Sequence, residues 1–339
     1  MVNNLSSATK NRSEKLLKTS NLSYRFLHNE LQSAIAKQLP KLNQPLYQEA
    51  KLHFSKPGKN LRGITSLRLS NCLNLPNKTS MMWAVATELM HNASLIHDDI
   101  CDKDIIRRGK TSVWRKYGVN KALCLGDWLV AQAFMAANDA IISIDNGASH
   151  LMSEFALVMK VLCTGQAREF ERKPVIDWFT YDRIVTEKTS PLLTASVVGP
   201  VILARKEDLK EPLSELFTKI GLAYQMINDV ANVISTGQQE SCFTDLDRAA
   251  PNAVVVSYIQ LCLNSNQNDF LDWYTSPEFH GTDAWKQIIV SSNALSLTVA
   301  RIRQLIDEIK ADHSDLPNDI GMATEPVMEF LIDAYEAYK

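Results

Sequence analysis

The chain reads His91-Asn-Ala-Ser-Leu-Ile-His-Asp-Asp-Ile-Cys-Asp102 and continues with Lys-Asp-Ile-Ile-Arg107-Arg108-Gly109. Asp98 and Asp102 lie four positions apart, a spacing that stacks both carboxylates on one face of a helix. Carboxylate oxygens so placed can hold Mg²⁺ against a phosphate, and the two arginines offer the phosphate its counter-charge. Acid pairs at this spacing also occur on solvated helices. Here the pair sits in an apolar run, where bound cations would offset the repulsion between half-buried carboxylates.

The composition is that of a globular protein, with 339 residues, 45% of them hydrophobic and 22% charged. This length fits one large helical domain or two smaller ones. The formal net charge of −2 gives no electrostatic footprint for nucleic acid, so we predict no nucleic-acid partner. The 6 cysteines lack C-x-x-C spacing, which favours reduced thiols over a disulfide framework or a zinc site.

Neither the start of the chain nor its longest apolar stretch predicts membrane insertion. Residues 1–20 are polar and basic without an apolar core, so we predict a flexible tail and not a secretory signal. The stretch from Pro191 to Ala204 contains Thr194, Ser196 and Pro200, and it is shorter than the ~20 residues that a membrane span requires. We expect no stable membrane insertion and a cytoplasmic location.

Apolar residues recur at helical spacing, as in the series Met82, Val85, Ala86, Leu89 and Met90. The chain has only 12 glycines and 12 prolines, and no run of short alternating strands bounded by turn dipeptides is found. We therefore predict an all-α protein. No linker is long or of low complexity, so residues 21–339 are expected to form one helical domain.

Two further segments place cations and amides where they could meet phosphate. Lys56-Pro-Gly-Lys59-Asn-Leu-Arg62-Gly63 puts cations three residues apart beside a glycine, where a turn and a following helix could grip a diphosphate. Alone, this pattern is typical of a solvated loop. Gln225, Asn228, Asp229 and Asn232 form one polar stripe on an apolar helix, a pattern more often found where a helix meets water.

These segments, in this order, resemble the motifs of the trans-isoprenyl diphosphate synthases, the polyprenyl synthetase family, over roughly residues 50–250. The first quoted stretch resembles the family's first aspartate-rich motif, and residues 57–63 resemble G-G-K-R-x-R-P with Pro57, Asn60 and Gly63 as departures. Residues 221–232 resemble G-x-A-F-Q-x-x-D-D-x-x-D. Asparagine replaces aspartate at positions 228 and 232, and because an amide brings no charge, metal binding there should weaken.

The resemblance implies an antiparallel helical bundle around a central cavity, with the two motif-bearing helices facing each other. It also implies roles for individual residues. Mg²⁺ would be held by Asp98, Asp102, Asn228 and Asn232. Isopentenyl diphosphate would be bound by Lys59, Arg62, His91 and Arg108. The allylic diphosphate would be contacted by Arg107, Gln166, Lys188, Thr189 and Gln225. Of all these, the catalytic group would be Asp98, Asp102, Arg107, Lys188 and Gln225.

Chain length is expected to depend on Ala93 and Ser94, because bulky aromatics floor the tube at these positions in the family and both residues here are small. We therefore predict a Mg²⁺-dependent polyprenyl diphosphate synthase, a homodimer, that condenses an allylic prenyl diphosphate with isopentenyl diphosphate to C20 or longer. Two alternatives remain open. One is a terpene cyclase or a prenyltransferase to a non-isoprenoid acceptor, which Asn228 and Asn232 favour. The other is a non-catalytic partner subunit, against which the intact Asp98 and Asp102 argue.

Overall fold

The structure, a computed structural model, describes residues 24–144, 148–170, 175–234, 244–265, 268–276 and 282–338. These residues are mostly helical, so the all-α prediction is confirmed. The predicted tail, residues 1–20, lies outside them. The chain divides into two compact units, Met1–Met152 and Ser153–Lys339, and a single domain over residues 21–339 stays a prediction. No helix in the described ranges combines the length and apolarity needed to cross a membrane.

The first unit is built on two long helices that pack along each other, α4 and α6. Small residues let them approach, since a Cβ added to Gly126 would lie 2.2 Å from His97 Nε2. Ala133 and Ala137 are also fully buried on α6. The helices of this unit are α1 (24–38), α2 (Tyr47–Phe54), α3 (Leu61–Cys72), α4 (Asn77–Cys101), α5 (Val113–Tyr117) and α6 (Val119–Ile142).

A short β-hairpin follows α4 and contains the only strands among the described residues. Strand β1 (Ile106–Arg107) pairs with β2 (Lys110–Thr111) in antiparallel register, with Arg107 opposite Lys110. The two connecting residues, Arg108 and Gly109, have φ of 52° and 73°, the left-handed conformation that tight two-residue hairpins require. The sequence analysis did not predict this hairpin, because two-residue strands leave no alternating pattern.

The second unit is organised around α9, which packs against α8 and α14. Its apolar residues recur every three or four positions, as Leu213, Phe217 and Ile220 show, so one stripe of the helix is buried. The helices here are α7 (His150–Glu169), α8 (Trp178–Leu203), α9 (Lys210–Ile234), α10 (Thr244–Asp247), α11 (Ala253–Asn264), α12 (Asp269–Tyr274), α13 (Thr282–Ser291), α14 (Ala294–Ser314) and α15 (Asn318–Glu336).

Gly165 marks a backbone contact between α7 and α8, because a Cβ there would lie 2.8 Å from both the Glu187 carbonyl carbon and the Lys188 nitrogen. We expect Gly165→Ala to destabilise the protein. Overpacking typically costs about 1–3 kcal/mol, which exceeds the roughly 1 kcal/mol that alanine gains over glycine in a helix. The free energy of unfolding in urea measures the difference.

Gly321→Ala is the matched control, because the same Cβ on α15 would meet only His313 Cε1 at 3.7 Å, an ordinary contact. This variant should be more stable than the wild type by roughly 0.4–1 kcal/mol. Equal effects of the two substitutions would show that α7 can move away from α8 without cost.

Candidate active site

Helix α4 presents His91, Ser94 and Asp98 on one half-buried stripe near its C-terminal end. The helix ends at Cys101, so Asp102 lies just beyond it and does not belong to the last turn. Its backbone N–H nevertheless donates to the Asp98 carbonyl oxygen at 2.8 Å, which preserves the helical relation between the two aspartates. The predicted juxtaposition of Asp98 and Asp102 therefore follows from this hydrogen bond.

The hairpin returns the chain so that Arg107 reaches back to the end of α4. Arg107 Nε donates to Asp99 Oδ1 at 2.6 Å, and Arg107 Nη2 donates to the same oxygen and to Asp104 Oδ2, the latter at 3.3 Å. Asp99 is 1% exposed. Burial raises the pKa of Asp99, and the Arg107 guanidinium opposes that rise. The orientation of Arg107 is therefore fixed by two neighbouring carboxylates.

Arg108 makes its hydrogen bond and its closest backbone contact with uncharged groups. Its Nη1 donates to Asn92 Oδ1 at 3.4 Å, and His53 Nε2 lies 3.0 Å from the same oxygen. A Cβ added to Gly58 would lie 2.9 Å from Arg108 Nη2, so the guanidinium rests directly on the glycine backbone. Burial lowers the pKa of His53 to about 3, with a further contribution from the Arg108 charge, so its ring is neutral at neutral pH.

The segment that carries Lys59 and Arg62 is anchored on both sides. Helix α1 fixes the loop through two hydrogen bonds, from Tyr24 Oη to the Lys59 carbonyl oxygen at 2.6 Å and between His28 Nε2 and the Gly58 carbonyl oxygen at 3.1 Å. Helix α3 then begins at Leu61, directly before Arg62. Residues 57–60 form an irregular loop before α3, and not the compact turn that the sequence predicted; Gly58 in this loop lies against Arg108.

His91 lies in a field of positive charge. Burial lowers the pKa of His91 well below its usual value, and the charges of Arg62 and Arg108 lower it further. His91 is therefore neutral, and a neutral imidazole can donate one N–H. Three of the four residues predicted to bind isopentenyl diphosphate are therefore near enough for their charges to act on one another, and Lys59 lies on the loop just before Arg62.

The polar stripe of α9 is divided between solvent and the interior. Asp229 is 1% exposed and accepts three hydrogen bonds: from Tyr181 Oη at 2.6 Å, from Gln225 Nε2 at 2.9 Å, and from the Ala253 N–H at 2.8 Å. Burial raises the pKa of Asp229, and these three donors oppose the rise. Asp229 thus ties α9 to α8 and to the start of α11.

The two asparagines of this motif differ in their surroundings. The side chain of Asn228 is exposed, whereas Asn232 is half-buried and its Oδ1 accepts from the Asp245 N–H at 3.4 Å. The Asp245 carboxylate in turn accepts from Asn252 Nδ2 at 2.9 Å and from Arg248 Nη2 at 3.2 Å. Of the two predicted amide ligands, Asn228 is therefore the more open to solvent.

The predicted residues of α7 and α8 lie close to Gln225. Thr189 Oγ1 donates to Gln225 Oε1 at 3.5 Å, and Lys188 Nζ forms an ion pair with Glu169 Oε2. Gln166 lies next to Gly165, where α7 touches the backbone of α8; its Nε2 is buried and makes no hydrogen bond within the described residues. The second unit thus gathers Lys188, Thr189 and Gln225 into one group.

The two residues predicted to set chain length point in different directions. Ala93 is 1% exposed and lies in the core of the unit. Ser94 lies on the half-buried stripe with Asp98, and its hydroxyl donates to the His91 carbonyl oxygen at 2.9 Å. Their role in chain length stays a prediction, and of the two Ser94 shares the face of the aspartates.

Sequence reasoning missed the buried residues that hold the functional side chains, namely His53, Glu88, Asn92, Tyr181 and Asp245. Glu88 and its partner Gly63 lie 25 residues apart in the sequence, and Tyr181 and its partner Asp229 lie 48 apart. No local spacing therefore connects them. The available signal was weaker: Glu88 and Asn92 are polar residues at buried positions of an apolar helix.

The donor set of the first unit fits Mg²⁺ only together with a phosphate ligand. Asp98 and Asp102 supply two carboxylates, and among the described residues no group of three or more His, Cys, Asp or Glu side chains is arranged to hold a metal alone. Mg²⁺ commonly binds through one or two carboxylates, with substrate phosphates and water completing its coordination. The two half-buried aspartates match this type of site.

The chain matches one protein family and several of its characterised members in sequence. The model of the family described as polyprenyl synthetase matches residues 43–291. Geranylgeranyl diphosphate synthase of Saccharolobus solfataricus is 28% identical, over 65% of this chain and 68% of that protein. Dimethylallyltranstransferase of Fischerella ambigua is 30% identical, over 68% of each.

Solved structures show the same fold. Geranylgeranyl pyrophosphate synthetase from Pyrococcus horikoshii matches with a TM-score of 0.79 at 24% identity, over 93% of this chain and 99% of that one. Heptaprenyl diphosphate synthase from Staphylococcus aureus matches with a TM-score of 0.80 at 20% identity, over 92% and 98%. At these identities the likeness concerns the fold alone.

The neutral, buried His53 predicts a pH-dependent stability. Its pKa of about 3 in the folded state lies below the unfolded value of 6.5, so the unfolded chain takes up a proton first as the pH falls. The stabilisation is complete above pH ~6.5 and decreases towards pH 3, by up to about 1.4 kcal/mol per pH unit.

The variant His53→Gln keeps an N–H donor for Asn92 but does not titrate. Urea unfolding between pH 8 and 5 should therefore show a shallower loss of stability for the variant than for the wild type. Parallel curves would show that His53 is protonated in the folded state without penalty.

Proposed function

Since the chain belongs to the polyprenyl synthetase family of trans-isoprenyl diphosphate synthases, and so is a prenyltransferase, we propose how its own residues carry the reaction. An allylic prenyl diphosphate is ionised at its C–O bond and releases inorganic diphosphate. The double bond of isopentenyl diphosphate adds to the resulting cation, and the adduct then loses a proton to the released diphosphate to give a product of C20 or longer. The names of relatives support this length, since they include geranylgeranyl and geranylfarnesyl diphosphate synthases.

One observation carries the proposal: Arg108 donates to Asn92, the residue next to His91 on the helix that bears Asp98, and the charges of Arg62 and Arg108 both act on His91. Two guanidinium groups and a neutral imidazole suit a diphosphate, because each arginine can donate two parallel N–H bonds to phosphate oxygens. Lys59 adds a fourth donor from the anchored loop. We assign this group to isopentenyl diphosphate.

Asp98 and Asp102 would hold Mg²⁺ against the allylic diphosphate. Mg²⁺ held there would neutralise negative charge that develops on the leaving diphosphate. Arg107, fixed by Asp99 and Asp104, would add a positive charge on the same leaving group. We assign Asp98, Asp102 and Arg107 to the ionisation step.

In the second unit, Lys188, Thr189 and Gln225 form a polar group suited to phosphate oxygens, and we include Gln166 with them. Asn228 and Asn232 can offer amide oxygens to Mg²⁺ without charge, so we propose that they bind metal weakly. Asp229 is not assigned to metal, because its carboxylate is occupied by three hydrogen-bond donors.

The remaining assignments follow the family. We propose a homodimer, which sedimentation equilibrium would test, and a chain length set by Ser94 together with Ala93. A synthase-derived cyclase, or a prenyltransferase with a non-isoprenoid acceptor, is the second candidate. The observation that favours it is the absence of carboxylates at positions 228 and 232. A non-catalytic subunit is disfavoured by the intact aspartates and arginines of the first unit.

The proposal is tested by incubating the protein with Mg²⁺ and C5 to C20 allylic diphosphates, with and without isopentenyl diphosphate, and identifying products by mass spectrometry. Condensation products are expected for the wild type. Asp98→Ala and Asp102→Ala should each lower kcat by roughly 10²–10³-fold, since a lost leaving-group interaction typically costs ~3–4 kcal/mol.

The matched control is Asp139→Ala, which removes an exposed carboxylate from α6 of the same unit and should leave turnover unchanged. If either folded active-site variant kept activity within about threefold of the wild type, the assignment of Asp98 and Asp102 to the metal would be wrong.

The variant Asn228→Asp separates the two enzyme functions. At an effective dielectric constant of 20, a unit charge pair at 4 Å interacts by about 4 kcal/mol before hydration is counted. In a synthase, the added carboxylate should lower the Mg²⁺ concentration needed for half-maximal condensation. In an enzyme specialised for cyclisation or another acceptor, condensation should stay poor and the native reaction should weaken.

A Mg²⁺ titration of wild type and variant, scored with and without isopentenyl diphosphate, distinguishes these outcomes. Identical titration curves and identical products would show that position 228 does not contact a metal.

A further inference from the structure

Glu88 is a buried acid on α4, one turn before His91, with 2% of its surface exposed. Its Oε1 accepts a hydrogen bond of 2.9 Å from the backbone N–H of Gly63. A carboxylate buried to this degree is costly unless donors or cations satisfy it. The groups that contact Glu88 therefore explain how an acid can be buried at position 88.

The first partner is the start of α3. The N–H groups in the first turn of a helix have no partner within the helix, and the N-cap residue Asn60 has φ of 53° and makes no side-chain cap. Glu88 supplies the missing acceptor from α4, and its negative charge also suits the positive end of the α3 dipole. The cap thereby fixes the turn that carries Arg62.

Gly63 is required for this contact in two ways. A Cβ at this position would lie 2.8 Å from Glu88 Cγ and 2.4 Å from Leu31 Cδ2, so a larger residue does not fit. A proline, which stands here in the motif that the segment resembles, would also lack the N–H that Glu88 accepts. Glycine at position 63 is thus matched to the acid at position 88.

Two cations also lie near enough for their charges to act on Glu88. Burial raises the pKa of Glu88, and the Gly63 N–H, Arg62 and Arg108 oppose that rise. One turn further along α4, Asn92 Oδ1 accepts a hydrogen bond from Arg108 Nη1. The Nδ2 of the same amide donates to the Glu88 carbonyl oxygen at 2.8 Å. Glu88 and Asn92 are thus two buried polar residues one turn apart on α4, and Asn92 contacts Arg108 directly.

We propose that Glu88 is a positioning residue that holds Arg62 and Arg108 in the geometry that receives a diphosphate. This inference rests on the proposed function, in which both arginines bind isopentenyl diphosphate. Without a buried counter-charge, the arginines would repel each other and turn towards water before the ligand arrives. With it, their orientation is set in advance, and less ordering is needed on binding.

The test uses Glu88→Gln, which keeps the size of the side chain and an oxygen acceptor for Gly63 but removes the charge. The KM for isopentenyl diphosphate should rise at least about tenfold, while kcat and the KM for the allylic diphosphate change less than about threefold. Glu88→Asp, which restores the charge, should recover part of the loss. This pattern distinguishes positioning from a general loss of structure.

Glu49→Gln is the matched control, because Glu49 is also 2% exposed in the first unit but pairs with Lys121 on the far helix α6, at 2.6 Å. It should leave both KM values unchanged. Thermal unfolding establishes that each variant is folded, and Glu88→Asp preserves the test should the glutamine variant fail to fold.

A second measurement makes the inference independent of turnover. Calorimetric titration with inorganic pyrophosphate in the absence of Mg²⁺ reports on the cations alone, and Glu88→Gln should bind about tenfold more weakly than the wild type. If that loss is seen but the wild type does not condense isopentenyl diphosphate, the proposed function fails and the positioning role stands. Unchanged or tighter pyrophosphate binding, or an equal loss in Glu49→Gln, would overturn the positioning role.

Discussion

Repulsion among the positive side chains at the end of α4 is the constraint on which the first unit depends. Arg107 is held by Asp99 and Asp104, and Arg108 by the Asn92 amide. Each arginine has a partner of its own, so none has to leave the cluster to find water. The helices, the hairpin and the loop after α2 can be understood as the scaffold that keeps these partners in place.

Asp229, the buried acid on α9 of the second unit, has different partners from Asp99 and Asp104, which pair with an arginine. Asp229 accepts from a phenol, an amide and a backbone N–H, and within the described ranges no cation donates to it. Its hydrogen bonds therefore link three helices. Such a network is favourable only when every donor and acceptor is satisfied. The central position of the polar stripe is therefore structural, while its exposed position, Asn228, remains open to a ligand.

The sequence predicted the helical class and the grouping of Asp98 with Asp102, because both depend on local periodicity. It also indicated the break between helices before Arg62, since glycine and proline interrupt helices. It did not reveal that Asp102 lies past the end of its helix, because a cap and a last helical turn have the same spacing. Glu88, Asn92 and Tyr181 were not predicted either: what gives them their roles is a partner from another element, and tertiary packing alone creates that neighbourhood.

The amides at positions 228 and 232 bear on the protein before any cation is bound. Carboxylates at positions 228 and 232 would repel each other, Asp229 and Asp245 when no cation is bound. The stability of the folded state would then depend on divalent ions. With asparagines there, the motif carries fewer negative charges. The second unit therefore has less internal repulsion to overcome in the absence of a divalent cation.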